Sequence, residues 1–237
     1  MTAERSASPW NEPEYVRAWT SADGLSGLLR LPVEMMTAVV AESGTPRLVV
    51  DIGSGPGMVL AALLERFPDA SGVWLDASAA MQDQARERLA RYGDRVRFIV
   101  ASMEDLPDLG LPVGEVGVLT NARVAHHFDV TALQRFYRDS ARLLAPGGWL
   151  ATLDHIRPAP GWNGRLRAVL PAFAGPNAGK PTHPHPVPFP TVTDHLEALA
   201  AAGLEEPELV WRAFYSCLFM ARSAGVADTG QAGPASP

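Results

Sequence analysis

Apolar and polar positions in this chain group into short β-like runs that alternate with longer helix-like stretches. Leu48, Val49, Val50 and Ile52 make an apolar run, so a first strand is expected over residues 47–52. The following MVLAALL is apolar nearly all round and predicts a helix from about 57 to 67, packed on the sheet and stopped by Pro68. A second strand over 72–75 delivers Asp76, and Ser78 is placed to cap a helix over 79–92. RVRFIV (95–100) alternates as a third strand, and 115–121 is a weaker fourth. Residues 130–144 read as an amphipathic helix closed by Pro146, Gly147 and Gly148, with a fifth strand over 149–154. Strands alternating with helices in this order predict an α/β fold, a doubly wound parallel sheet with helices on both faces.

After Asp154 the alternation breaks. Residues 157–190 are crowded with Pro, Gly, Asn and His, with a short helical stretch over 165–173, and read as a Pro-rich cap insertion or lid. A helix is expected over 191–202, ended by Gly203, and two apolar runs within 208–222 look like a closing antiparallel pair. Residues 10–43 hold two helices of a helical N-terminal segment that carries Trp10, Tyr15 and Trp19, with the N-terminal cap running to residue 45. The domain reading is one unit over 10–222 flanked by mobile tails, 1–9 and 223–237, which lack any hydrophobic period.

Composition narrows the function classes. The chain has 237 residues, 47% hydrophobic, with mean hydropathy +0.00, enough for one good core and too short for two α/β domains. A net charge of -6 removes the electrostatic case for nucleic-acid binding, which needs clustered Lys and Arg. No apolar stretch approaches the roughly 20 residues of a membrane span, and no basic-then-apolar leader opens the chain; a soluble, cytoplasmic protein is expected. The single cysteine, Cys217, sits in an apolar run and reads as a small buried hydrophobe.

The chemistry concentrates at the ends of the expected strands. In an open α/β sheet, ligands bind outside the carboxyl ends of the strands where the winding reverses, so Gly53, Ser54, Gly55, Gly57, Asp76, Ser102, Asn121 and Asp154 should rim one crevice. The run VVDIGSGPG is a strand that ends in a glycine loop and opens into a helix, and such a loop lets backbone lie close against a ligand. Asp51 can organise the ligand's polar groups, and Asp76 can accept two hydrogen bonds from a ribose diol. The spacing is G-x-G-x-G, not the G-x-G-x-x-G of a pyrophosphate site, which argues against a nicotinamide oxidoreductase.

On these residues the chain resembles the class I S-adenosylmethionine-dependent methyltransferases, from about 47 to 155 and more weakly through 222. DIGSGPG looks like that family's first motif, Asp76 matches its ribose-binding acid, and Met81 stands where an apolar residue packs near the adenine. ASMEDLP (101–107) is similar to the region beside the adenine ring, with Ser102 in place of the usual Asp, and LLAPGGWL resembles the junction into the fifth strand. The resemblance implies a Rossmann-like, seven-stranded, mostly parallel sheet with the last strand antiparallel. It also implies S-adenosylmethionine as cofactor and S-adenosylhomocysteine as product, held by Asp51, Gly53, Ser54, Gly55, Gly57, Asp76, Ala77, Met81, Ser102, Met103 and Asn121.

On the acceptor side, an attacking oxygen or nitrogen that carries a proton at neutral pH needs a base, and histidine has the right pKa. His126 and His127 follow the fourth strand, and Asp154 and His155 end the fifth; these four are the catalytic candidates, with Asp154 alternatively orienting a neighbouring imidazole. Arg123 could clamp a carboxylate or lie in solvent. Tyr15, Trp19, Trp162 and Phe173, with Phe189, are candidate walls for a small, aromatic or otherwise apolar acceptor. No metal is expected, since His183 and His185 lie in a proline-rich loop without a ligand spacing. A homodimer is left open. Two alternatives remain: the same cofactor site used for cyclisation or decarboxylation, and a non-catalytic subunit that keeps the fold.

Overall fold

The computed structural model describes residues 9–20, 29–173 and 187–225. A short 3-10 turn, Pro9–Asn11, leads into helix α1 (Pro13–Thr20), and α2 (Arg30–Glu42) precedes the sheet. Strand β1 (Leu48–Ile52) is followed by α3 (Met58–Arg66), β2 (Ser71–Asp76), α4 (Ala79–Leu89), β3 (Val96–Val100), β4 (Val116–Ala122) and α5 (Val130–Leu143). Then come β5 (Leu144–His155), α6 (Pro160–Val169), α7 (Val192–Ala201), β6 (Glu205–Ala213) and β7 (Ser216–Arg222). The strand order is β3-β2-β1-β4-β5-β7-β6, and β7 runs antiparallel to both of its neighbours. The expected seven-stranded, mostly parallel sheet is therefore present, with its winding reversed between β1 and β4.

Strand parity divides the interior into two apolar layers. Val50, Ile52, Leu119, Leu150 and Phe219 face α5 and α7, with Leu133, Tyr137 and Leu199 packed against them. Val49, Trp74, Val118 and Leu218 face the other way, toward α2, α3 and α4 through Met36, Leu60, Leu63 and Ala85. α1 joins this second layer by one residue, Val16, which is 1% exposed. Helix starts are chemically marked: Ser78, Asp129 and Thr191 each accept a hydrogen bond from a first-turn amide, and Thr191 with Asp194 completes a capping box.

Several boundaries differ from expectation for identifiable reasons. The Ala145–Gly148 segment does not close α5 ahead of the strand; β5 begins at Leu144 and carries it as an irregularity in pairing with β4, between Val116 and Val118. A Cβ on Gly148 would lie 2.7 Å from the Val116 carbonyl oxygen, so glycine is what permits this approach. α4 stops at Leu89 and tightens into 3-10 turns through Arg95, interrupted by Gly93 at φ 54°. The helix of the cap spans Pro160–Val169, earlier than 165–173, because Pro160 is tolerated at a helix start. The chain also stays tied past residue 222: Ser223 donates to the Gly148 carbonyl at 2.8 Å, and the Gly147 amide reaches the Ser223 carbonyl at 3.2 Å. Residues 1–8, 21–28, 174–186 and 226–237, which include His183, His185 and most of both expected tails, lie outside the described residues, as does the side chain of Trp19. Among the described residues, no helix is long and apolar enough to cross a membrane.

Candidate active site

The carboxyl ends of β1, β2 and β3 form one half of the site. The glycine loop leaves β1 with Gly53, Gly55 and Gly57 all at positive φ, a conformation only glycine adopts at no steric cost. Gly53 is the most constrained, since a Cβ there would lie 2.2 Å from Val124 Cγ2. The loop is fastened from β2: Ser54 N donates to the Leu75 carbonyl at 3.0 Å, Gly55 N to Asp76 Oδ2 at 2.8 Å, and Trp74 Nε1 to the Gly55 carbonyl at 2.8 Å. Asp76 Oδ1 also accepts from Ser78 N at 2.9 Å, so one carboxylate joins the glycine loop to the start of α4. Met81 is buried, its sulfur 3.9 Å from where a Gly55 Cβ would sit. Ala101 N bonds the Asp76 carbonyl at 3.1 Å, which brings Ser102 and Met103 beside the same edge, and the Ser102 hydroxyl accepts from Glu104 N. Ala77 is exposed between Asp76 and Ser78.

Two carboxylates, Asp51 buried and Asp76 partly buried, thus converge on the loop. Burial pushes Asp51 up to about 7 against the pull of its hydrogen bond from Ser54 Oγ at 2.6 Å, and burial raises Asp76 as well. Asp51 Oδ1 is buried without a hydrogen-bond partner, an orphaned acceptor of the kind a bound cation or donor satisfies. S-adenosylmethionine fits this set: it carries an ammonium and a ribose diol, groups that two carboxylates at these places can accept from.

The ends of β4 and β5 form the other half. Asp154, 1% exposed, accepts from Val124 N at 2.9 Å, from His126 N at 3.2 Å and from His155 N at 2.6 Å, and its Oδ1 lies 2.5 Å from His126 Nδ1. Burial alone would raise this carboxyl, but the His126 charge and hydrogen bond, with His155, reverse the effect and hold it well below the usual carboxylate range. The His126 ring centroid lies 4.2 Å from that of His127, 5.6 Å from His155 and 5.2 Å from Phe189. Ser216 Oγ is 3.4 Å from His155 Nδ1. Arg123 sits just past β4 at φ 60°, its amide bonded to the Leu153 carbonyl at 2.9 Å.

Not every expected residue joins these halves. Asn121 is a correction: it shares strand parity with Leu119, so its side chain enters the α5 and α7 layer, fully buried, and its Nδ2 donates to Thr152 Oγ1 at 2.9 Å instead of opening on the loop. Trp162 and Phe173 are 56% and 65% exposed, and Phe173 packs on Phe214, with ring centroids 5.3 Å apart. Phe189 is the cap aromatic that reaches the histidines. Tyr15 is half-buried against Trp10, its hydroxyl buried and without a hydrogen-bond partner, and the Trp10 carbonyl accepts from Ser78 Oγ at the start of α4. Sequence reasoning missed Val124 and Trp74, the side chains that press on and pin the loop. Trp74 could have been found by parity, standing two positions before Asp76 in an apolar strand; Val124 carried no signal. Among the described residues, no three His, Cys, Asp or Glu side chains group as metal ligands.

Residues 49–148 match a family model described as a methyltransferase domain. The trans-aconitate 2-methyltransferase of Methylobacterium radiotolerans is 36% identical over 149 residues, which cover 62% of this chain and 51% of that protein. The chain spans about half the length of this curated relative. Among solved structures, an O-methyltransferase family protein from Burkholderia thailandensis superposes with a TM-score of 0.61 at 20% identity, covering 81% of this chain and 56% of that one. Geranyl diphosphate methyltransferase in complex with S-adenosylmethionine superposes with a TM-score of 0.61 at 17% identity, covering 92% of this chain and 93% of that one.

Proposed function

We propose that this chain is a class I S-adenosylmethionine-dependent methyltransferase and that it methylates an oxygen or nitrogen of a small-molecule acceptor, with His126 as the base; the match of residues 49–148 to a methyltransferase domain and the similarity to a methyltransferase support this reading. When bound, S-adenosylmethionine supplies an electrophilic methyl group. Asp51, Gly53, Ser54, Gly55 and Gly57 would hold its methionine end, and Asp76, Ala77, Met81, Ser102 and Met103 its ribose and adenine. The observation that carries the assignment of the base is the 2.5 Å contact between His126 Nδ1 and Asp154 Oδ1. A carboxylate there fixes the proton on Nδ1 and leaves Nε2 as the proton acceptor. Asp154 is a positioning residue: its remaining bonds hold the backbone of 124 and 126, so the imidazole is set before the acceptor arrives. His127 and His155 flank the ring, and Phe189 helps to exclude water from it.

Similarity to a trans-aconitate 2-methyltransferase supports a small acceptor and makes trans-aconitate the first compound to assay, beside simple phenols and amines. Formation of S-adenosylhomocysteine is the readout. His126→Ala is expected to slow turnover by about 100-fold or more while S-adenosylhomocysteine affinity, measured by calorimetry, stays within about twofold. Turnover that survives this substitution removes His126 as the base. Substrate consumed without S-adenosylhomocysteine would mean that the site serves other chemistry.

A further inference from the structure

A row of polar side chains lies inside the α5 and α7 layer, just short of the strand ends that carry the acceptor half. Asn121 of β4 and Thr152 of β5 stand opposite each other, and Asn121 Nδ2 donates to Thr152 Oγ1 at 2.9 Å. The Tyr137 hydroxyl of α5 lies 2.6 Å from His195 Nδ1 of α7. The His195 ring stacks on Phe219, with centroids 4.5 Å apart and planes at 12°, and Phe219 is the β7 residue paired with Thr152. All four polar residues are 0% exposed. Thr152 shares strand parity with Asp154, two positions on, so both side chains leave β5 on the same face.

This is not the arrangement that stability alone favours. Asn121 Oδ1 and His195 Nε2 are buried without a hydrogen-bond partner, and each such atom is costly. Leucines fill the same layer at positions 119, 133 and 199 without that cost. Burial pushes the Tyr137 phenol up, with the Thr152 hydroxyl drawing it back, and pushes His195 down to about 4, so both are neutral at neutral pH. The Asp154 charge still reaches both groups, and the charges of Asp194 and His126 reach His195. Buried polar contacts kept at such a cost beside a working carboxylate fix distances and angles that apolar packing leaves loose.

Resting on the reading of His126 as the base, we infer that Tyr137 and His195 are positioning residues: seated on Thr152 and its cross-strand partner Phe219, they clamp the carboxyl end of β5 from the helix side and so set Asp154 against His126 Nδ1.

The test reads the His126 ring and needs no acceptor. A proton held between His126 Nδ1 and Asp154 Oδ1 at 2.5 Å gives a low-field proton NMR signal, assigned by its loss in His126→Gln. Tyr137→Phe and His195→Leu are expected to broaden that signal or shift it upfield in protein that still melts cooperatively. His195→Asn, which keeps an acceptor where Nδ1 stood, should retain it. With an acceptor in hand, Tyr137→Phe should lower kcat by about tenfold and leave KM unchanged. The inference is overturned if the signal is unchanged in either Tyr137→Phe or His195→Leu, or if His195→Asn loses it as His195→Leu does. It is overturned as well if neither of the first two variants folds, since the row would then carry the fold and not the placing of Asp154. A wild type without the signal would overturn the contact between Asp154 and His126, and the proposed base and this inference with it. Failure of the wild type to take up S-adenosylhomocysteine would instead overturn the methyltransferase reading and leave the NMR result standing.

Discussion

The two halves of the site use the same side chain in opposite ways. On the donor side, Asp51 is a buried carboxyl raised above its ordinary range, and one of its oxygens has no partner. On the acceptor side, Asp154 is equally buried but lowered, because the His126 ring and three amides already satisfy it. Burial is common to both; what differs is whether the partner is supplied by the protein. A carboxyl left short of partners is a site awaiting a ligand, and one supplied with them holds the frame.

Removing the satisfied carboxylate should therefore cost the fold most. Asp154→Ala strips the partner from the His126 ring and from two loop amides inside the protein, and a loss of about 3–5 kcal/mol in urea unfolding is expected. Asp76→Asn, on the donor side, should cost less, about 1–2 kcal/mol, since its oxygen keeps one of the two backbone amides and the relief of charge burial partly offsets the donor left facing the new NH2. Equal costs at the two positions would erase the distinction between frame and ligand site.

Beyond the paired ends of β1 and β4, the halves also touch where Val124 of the β4–α5 loop presses on Gly53 of the donor loop. Gly53→Ala should cost about 3 kcal/mol, part from the positive φ and part from the clash with Val124 Cγ2. Adding Val124→Ala should recover the clash and leave the backbone share, a coupling that a double-mutant cycle reads directly. Additive effects would mean that the two halves are not in mechanical contact at this point.

The donor half was legible because its signals are local. Three glycines at fixed spacing, an acid at the next strand end and a serine cap each act within a few residues, and strand, loop and helix follow one another without a gap. The acceptor half is assembled by pairing between β4 and β5 and by return of the chain at Phe189, so its contacts join positions some 30 residues apart or more. Thus His126, His127, Asp154 and His155 could be named as neighbours from strand order, but the clamp of Asp154 on the Val124 and His126 amides could not. Asn121 shows the limit of reading a strand end: the position was right, and parity sent the side chain to the other side of the sheet. The Ala145–Gly148 turn failed for a related reason, since only the pairing of Leu144 with Val116 makes it part of a strand.

The unpartnered oxygen of Asp51 gives the comparison a pH signature. Its carboxyl titrates at about 7 in the folded chain against 3.8 when unperturbed, so the native state holds the proton that the unfolded state has lost between those values. Folding stability through this group should thus fall as pH rises from about 4 to about 7 and level off above. Binding of a ligand ammonium has the opposite dependence, because only the ionised carboxylate attracts it. S-adenosylhomocysteine affinity is expected to rise by up to about tenfold between pH 6 and pH 8 in the wild type. In Asp51→Asn, whose amide cannot ionise, the affinity should be weaker and flat across that range, and unfolding at pH 8 should require more urea than in the wild type. Asp154 moves in the other direction: lowered in the native state, it adds stability that is full above the ordinary carboxylate value of 3.8 and is lost progressively as pH falls below it. A wild-type affinity with no slope near pH 7 would show that Asp51 is already ionised in the free protein, and that the donor half, like the acceptor half, supplies its own partners.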